Sequence, residues 1–110
     1  SDIRESETLT VILDKQNKVY YYQGIPTSPN VALKSTNFSD KGIRQILFNY
    51  KAKIGKNFTV VIKATDQAQY RNMVDLLDEL AITNNKQYAI VNTLTTNEQN
   101  LLSLQSRPSI

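Results

Sequence analysis

Phe58-Thr-Val-Val-Ile-Lys63-Ala-Thr-Asp66-Gln-Ala-Gln-Tyr70-Arg-Asn-Met-Val-Asp-Leu-Leu-Asp-Glu-Leu80-Ala-Ile-Thr-Asn-Asn-Lys86-Gln-Tyr88-Ala-Ile-Val-Asn92 decides the fold. Phe58 to Lys63 is a β-prone run, and Tyr88 to Asn92 is a second one. Between them the apolar residues Tyr70, Met73, Val74, Leu77, Leu80 and Ala81 recur at helical spacing. The stretch therefore reads as strand–helix–strand. Asp66 is the expected N-cap, with Gln69 three residues on completing something close to a capping box. The stripe places Leu77 beneath a sheet. Asp75, Asp78 and Glu79 fall on or near the other side. Asp75 and Glu79 are four residues apart and share a helix face. Paired carboxylates can exchange protons or hold a cation, but they need burial or a cleft to do so. On an exposed flank they are expected to be ordinary solvated charges.

Outward toward the N-terminus, Thr8 to Asp14 alternates, with Leu9, Val11 and Leu13 on one face and Thr8, Thr10 and Ile12 on the other. It reads as a half-buried strand. Lys15 to Lys18 is a polar turn, and Val19-Tyr20-Tyr21-Tyr22-Gln23 is a second strand that ends at Gly24. The pair makes an antiparallel hairpin. Residues 24–30 hold two prolines and read as a loop. Val31 to Ser35 suggests a short edge strand. Ser39 or Asp40 is the expected cap of a first helix. Its stripe is Ile43, Ile46, Leu47, Tyr50 and Ile54, and Gly55 ends it.

Beyond Asn92 the chain turns polar. Thr96 with Gln99 offers the cap of one short helix docking Leu101, Leu102 and Leu104. Arg107 to Ile110 reads as frayed. The expected architecture is an α+β two-layer sandwich. A mixed β-sheet carries the two main helices on one face, in the order ββαβαβ with a short additional edge strand. Right-handed crossovers place both helices on the same side. Three segments follow: a loose residue 1–7 lead, a packed domain over 8–92, and a tail over 93–110. The sheet's other face is expected to be exposed or used.

The chemistry available is narrow. The 110 residues contain neither cysteine nor histidine. That removes the usual zinc, haem and iron–sulfur ligands, thiol nucleophiles and histidine-based triads. The three glycines are dispersed, so no phosphate-cradling loop exists. No serine stands in an elbow motif. Asn37-Phe-Ser39 and Asn57-Phe-Thr59 match a glycosylation sequon too short to weigh against chance. No cofactor, metal or catalytic residue is assigned. The formal charge of +3 is modest. Arg44, Lys51 and Lys56 gather on and just past the first helix. They suit either an acidic partner or the negative end of the helix dipole. Successive strand residues face opposite ways, so Tyr20 and Tyr22 share one face and Tyr21 takes the other. That pattern is thin for stacking nucleic acid, and no nucleic-acid partner is expected. Tyr20 and Tyr22 are instead assigned, with Tyr88, Arg44, Lys51 and Lys56, to a partner or dimer surface.

Val60-Val-Ile-Lys63, the step from Asp66 to Tyr70, Val74-Asp-Leu-Leu-Asp-Glu-Leu80-Ala-Ile82 and Lys86-Gln-Tyr-Ala-Ile-Val91 resemble the C-terminal half of ExbD/TolR proteins. The hairpin from Thr10 to Tyr21 fits that family's domain start. The resemblance covers about residues 8 to 92. The connection from Gly24 to Asn37 is long, and the tail after Asn92 carries no motif of the family. The resemblance implies a non-enzymatic periplasmic domain of an ExbD-like biopolymer-transport subunit in a Gram-negative bacterium. Its inner-membrane anchor, which bears the family's proton-responsive aspartate, is not among these residues. Neither Asp66 nor Asp75 takes that role. The resemblance also implies an ExbB-like proton-channel partner, a TonB-like partner in outer-membrane transport, and a homodimer. A TolR-like domain contacting peptidoglycan is the neighbouring alternative. A small cytosolic α+β enzyme or regulator using carboxylates is the alternative from another class.

Overall fold

The structure, a computed structural model, describes residues 4–25 and 32–105. Five strands and three α-helices follow one another. They are β1 (Thr8–Leu13), β2 (Val19–Gln23), β3 (Lys34–Thr36), α1 (Ile43–Ile54), β4 (Thr59–Ala64), α2 (Tyr70–Ile82), β5 (Tyr88–Ile90) and α3 (Thr96–Gln105). The sheet runs β3-β2-β1-β4-β5. The β1–β2 and β2–β3 pairs are antiparallel, and the β1–β4 and β4–β5 pairs are parallel. The fold is α+β with a mixed sheet.

Gln16 and Asn17, between β1 and β2, both have positive φ (57° and 60°). Two left-handed residues in succession match the twist of the strands they join. This hairpin therefore turns without the Asn-Gly pair. Leu9, Val11 and Leu13 of β1, Val19 of β2, and Val60 and Ile62 of β4 face α1 and α2. They pack with Ile43, Leu47, Phe58, Leu76 and Leu80 into the main core. All six residues of β1 are buried, because the sheet's other face is covered too. The half-exposed strand expected from the alternation does not occur. α3 makes a third layer on that side, and the packed part of the chain continues past Asn92 through this helix.

The first helix forms as expected, with Ile46, Tyr50 and Ile54 half-buried against the core. Its start is different. Neither Ser39 nor Asp40 caps it. Gly42 stands at the cap position, and the Ile43 N–H donates to the Asn37 carbonyl at 2.8 Å. A methyl group on Gly42 would lie 2.2 Å from that carbonyl oxygen. Gly42→Ala is therefore expected to destabilise the domain by about 1–3 kcal/mol, the usual range for overpacking. Thermal melting of the two proteins measures it, and an unchanged midpoint would show that the Asn37 loop is free to yield. Gly55 does end α1, with φ at 90° and its N–H donating to the Lys51 carbonyl.

α2 is rotated from the expected face. Its buried residues are Asn72, Leu76, Glu79 and Leu80, spaced i, i+4, i+7, i+8. Leu77 is only half-buried, Val74 and Ala81 are exposed, and Tyr70 is 82% exposed. Arg44 on α1 meets this buried face. Its Nε and Nη2 donate to Glu79 Oε1 at 3.0 and 2.7 Å. This pair draws a carboxylate into the interface between the helices, where the apolar pattern alone would place Leu77. Asp66 does not cap α2. Gln69 holds the cap position without a side-chain bond. Thr65 organises the approach, accepting from the Gln67 N–H and donating its hydroxyl to Asp14.

The short edge strand lies at 34–36 rather than 31–35, and residue 31 is outside the described set. The expected frayed end over 107–110 and the first three residues of the loose lead over 1–7 are likewise outside it. Glu5–Glu7 form a single 3-10 turn.

Candidate functional site

Strand register fixes what lies on the face away from α1 and α2. Thr10 pairs with Tyr22 and Val61, and Ile12 with Tyr20 and Lys63. These six side chains therefore share that face. Ile12, Tyr20 and Tyr22 form a small second core with Leu33, Leu94 and Leu102. Tyr20 and Tyr22 are thus buried within the chain. They do not form the free dimer surface assigned to them, because α3 occupies the space.

A buried ionic triad sits beneath α3. Glu98 Oε1 accepts from Lys63 Nζ at 2.7 Å, and Glu98 Oε2 accepts from the Tyr22 hydroxyl at 2.6 Å. Lys63 is 1% and Glu98 0% exposed. Thr95 adds the rest. Its N–H donates to Glu98 Oε1 at 2.8 Å, and its Oγ1 accepts from the Glu98 N–H at 3.1 Å. That is a reciprocal capping box at the start of α3. Glu98 both caps the helix and anchors it to the sheet. The Thr95-x-x-Glu98 spacing was the available signal, one residue upstream of the Thr96 and Gln99 pair. Leu104, expected to dock, is exposed.

The triad is chemically closed. Both carboxylate oxygens are engaged, Oε1 by Lys63 and the Thr95 N–H and Oε2 by the Tyr22 hydroxyl. Burial pushes the Glu98 carboxyl up. The Lys63 ammonium, the Tyr22 hydroxyl and the Thr95 amide outweigh that and hold it below the ordinary glutamate value. Burial and then the Glu98 carboxylate push the Tyr22 hydroxyl well above its usual range. A carboxyl depressed in the folded state stabilises fully above its unfolded pKa of ~4.3. That contribution is lost as pH falls through the folded value. Urea melts between neutral pH and about pH 3 should therefore lose stability more steeply for the native protein than for Glu98→Gln. Parallel curves would mean that Glu98 is not paired in solution.

The opposite end of the sheet is open. β5 is an edge strand, and among the described residues nothing pairs with its outer side. Its register places Tyr88 and Ile90 on the α1/α2 side of the sheet. They are 44% and 48% exposed. Tyr70, Val74, Leu77 and Ala81 form a second apolar stripe on α2. A groove of about 410 Å³ runs between helix and strand, lined by Leu77, Leu80, Ala81 and Tyr88 and by Asn84, Asn85 and Lys86. Those last three residues also wall a neighbouring cleft of about 390 Å³ with Lys51, Lys56 and Phe58. Lys51 donates to the Asn84 carbonyl, and Gln87 Nε2 donates to the Lys56 carbonyl at 2.6 Å. These bonds tie the end of α1 to the turn before β5.

No family model, curated protein or solved structure matches this chain.

The structure therefore separates the residues assigned to one partner surface. Arg44 is engaged by Glu79 and Asp40 within the chain and lies away from the other assigned residues. Tyr20 and Tyr22 lie under α3. Lys51 and Lys56 line one cleft with Lys86, and Tyr88 lines the neighbouring groove on the other side of the α2–β5 turn. Asp75 and Glu79 part company, with Asp75 exposed and Glu79 buried against Arg44. No group of three or more carboxylates or other candidate metal ligands occurs among the described residues. No described helix is long and apolar enough to cross a membrane.

Proposed function

We propose that this chain is the non-enzymatic periplasmic domain of an ExbD-like subunit in a proton-motive-force-driven energy-transduction complex. The observation that carries the reading is the β4–α2–β5 unit. The residues in which the chain resembles ExbD/TolR proteins form a parallel strand–helix–strand whose last strand is an open edge. An edge of this kind presents unpaired N–H and C=O groups to an extended segment of another chain. The exposed stripe Tyr70, Val74, Leu77 and Ala81 lies beside it, offering apolar contact to whatever pairs there.

On this reading the anchor lies outside these 110 residues. It joins an ExbB-like proton-channel subunit in the inner membrane. The domain described here stands in the periplasm, associates with a second copy, and passes motion to a TonB-like protein. The test is to express the intact gene product, with its natural upstream sequence, beside the ExbB-like protein of the same cell. Stable co-purification from the membrane fraction is the expected result. Recovery of the intact protein from the cytosol, free of any membrane partner, would reject the reading.

A further inference from the structure

The α2–β5 turn joins two hollows of different chemistry. The cleft behind it is ringed by Lys51, Lys56 and Lys86, with Asn84, Asn85 and Gln87 between them and Phe58 in its wall. Among the described residues, none of the three lysines forms an ion pair. Lys51 spends one donor on the Asn84 carbonyl, which leaves its remaining N–H groups available. α1 and α2 both end here, and each terminus carries a partial charge of roughly −0.5. Against three ammonium groups, roughly two positive charges remain uncompensated. Solvation of three lysines by two helix ends therefore does not exhaust the cleft's charge. The groove in front of the turn is apolar, floored by Leu77, Leu80 and Ala81 and flanked by Tyr88. Beside it runs the open side of β5.

We propose that this pair of hollows is a docking site for an extended acidic-apolar peptide segment. A carboxylate of the segment sits against Lys51, Lys56 and Lys86. An aliphatic or aromatic side chain further along fills the groove between Leu77, Ala81 and Tyr88. The peptide backbone runs along β5, whose free N–H and C=O groups it pairs with. Charge selects the segment and sets its direction, and the groove sets which of its side chains face inward. A basic segment is excluded by the same lysines. The inference deepens the force-passing reading by naming the chemistry of the partner segment, and it rests on that reading only for where the segment comes from.

The probe is a fluorescein-labelled decapeptide with two glutamates at one end and alternating valine and threonine along the rest. It is titrated into the chain and followed by fluorescence anisotropy. Two further peptides replace the glutamates by lysines, or the valines by serines. The native chain should bind the first peptide and neither of the others, more weakly as salt rises. Lys56→Glu with Lys86→Glu should weaken binding by about tenfold or more, since two attractions become repulsions. Both lysines are exposed, so the variant is expected to keep its fold, and an unchanged melting midpoint verifies that. Leu77→Ser should weaken binding of the first peptide at every salt concentration. Equal binding of the acidic and lysine peptides would overturn the proposal. So would an unchanged affinity in the double variant, or no binding at millimolar concentration. Peptide binding without the membrane partner of the preceding section would keep the site and remove the force-passing reading. Co-purification without peptide binding would do the reverse.

Discussion

Glu98→Ala is expected to destabilise the domain by about 3–5 kcal/mol, the usual cost of leaving one member of a buried ion pair alone. The substitution strands the Lys63 ammonium, which is 1% exposed, and removes the acceptor of the Tyr22 hydroxyl. It also removes the side chain that closes the α3 cap. Of the apolar residues on α3, Leu101 and Leu102 are only half-buried, so the ion pair and the cap are its main anchors. The helix should therefore leave the sheet. Replacing both charges, with Lys63→Met and Glu98→Leu, should recover most of the loss, because the penalty comes from the unpaired charge. Urea denaturation of the three proteins measures it. A loss under ~1 kcal/mol for Glu98→Ala would mean that the pair is solvated, as exposed pairs are.

Leu76→Ala is expected to cost about 2–5 kcal/mol, the range for truncating a fully buried leucine. Leu76 is 0% exposed and packs with Ile43, Leu47 and Ile62 in the main core. Leu77→Ala should cost clearly less, because Leu77 is half-buried beside an open groove. The comparison reports the rotation of α2 directly. Equal losses, or a larger one at Leu77, would put the Tyr70, Val74, Leu77 stripe against the sheet. Arg44 and Glu79 would then be unpaired.

These two sites also mark where sequence reading succeeds and fails. The hairpin, α1 and the strand–helix–strand unit were all readable. Each rests on local periodicity, as in Leu9, Val11 and Leu13 or Ile43, Leu47 and Ile54. The face of α2 was not readable, because apolar residues cover two adjacent stripes of that helix. Choosing between them requires knowing that Arg44, on another element, reaches Glu79. The short helix at Thr96 was readable too, and forms as α3, but its cap and its main anchor were not, for a similar reason. Its residues Thr96 to Gln105 have little apolar periodicity, and its main anchor is a glutamate. A charged residue reads as exposed until its partner is found, and Lys63 lies on a strand 35 residues away. The same blindness moved Tyr20 and Tyr22 to an outer surface. The sequence placed them on the correct side of the sheet but could not reveal the helix that covers it. Lys51 and Lys56 come to the α2–β5 turn because parallel pairing of β4 with β5 brings the end of α1 beside it.

The most direct measurement is photo-crosslinking in cells. A photoreactive phenylalanine analogue is placed at Tyr88 in the intact gene product, and in a separate strain at Asp78 on the solvent side of α2. The expected result is an adduct from position 88 to a TonB-like protein or to a second copy of the chain. The yield from position 88 should change when a protonophore collapses the proton-motive force. Position 78 should give little adduct under either condition. A position-88 adduct unaffected by the protonophore, or adducts only to cytosolic proteins, would contradict a force-passing role for this domain.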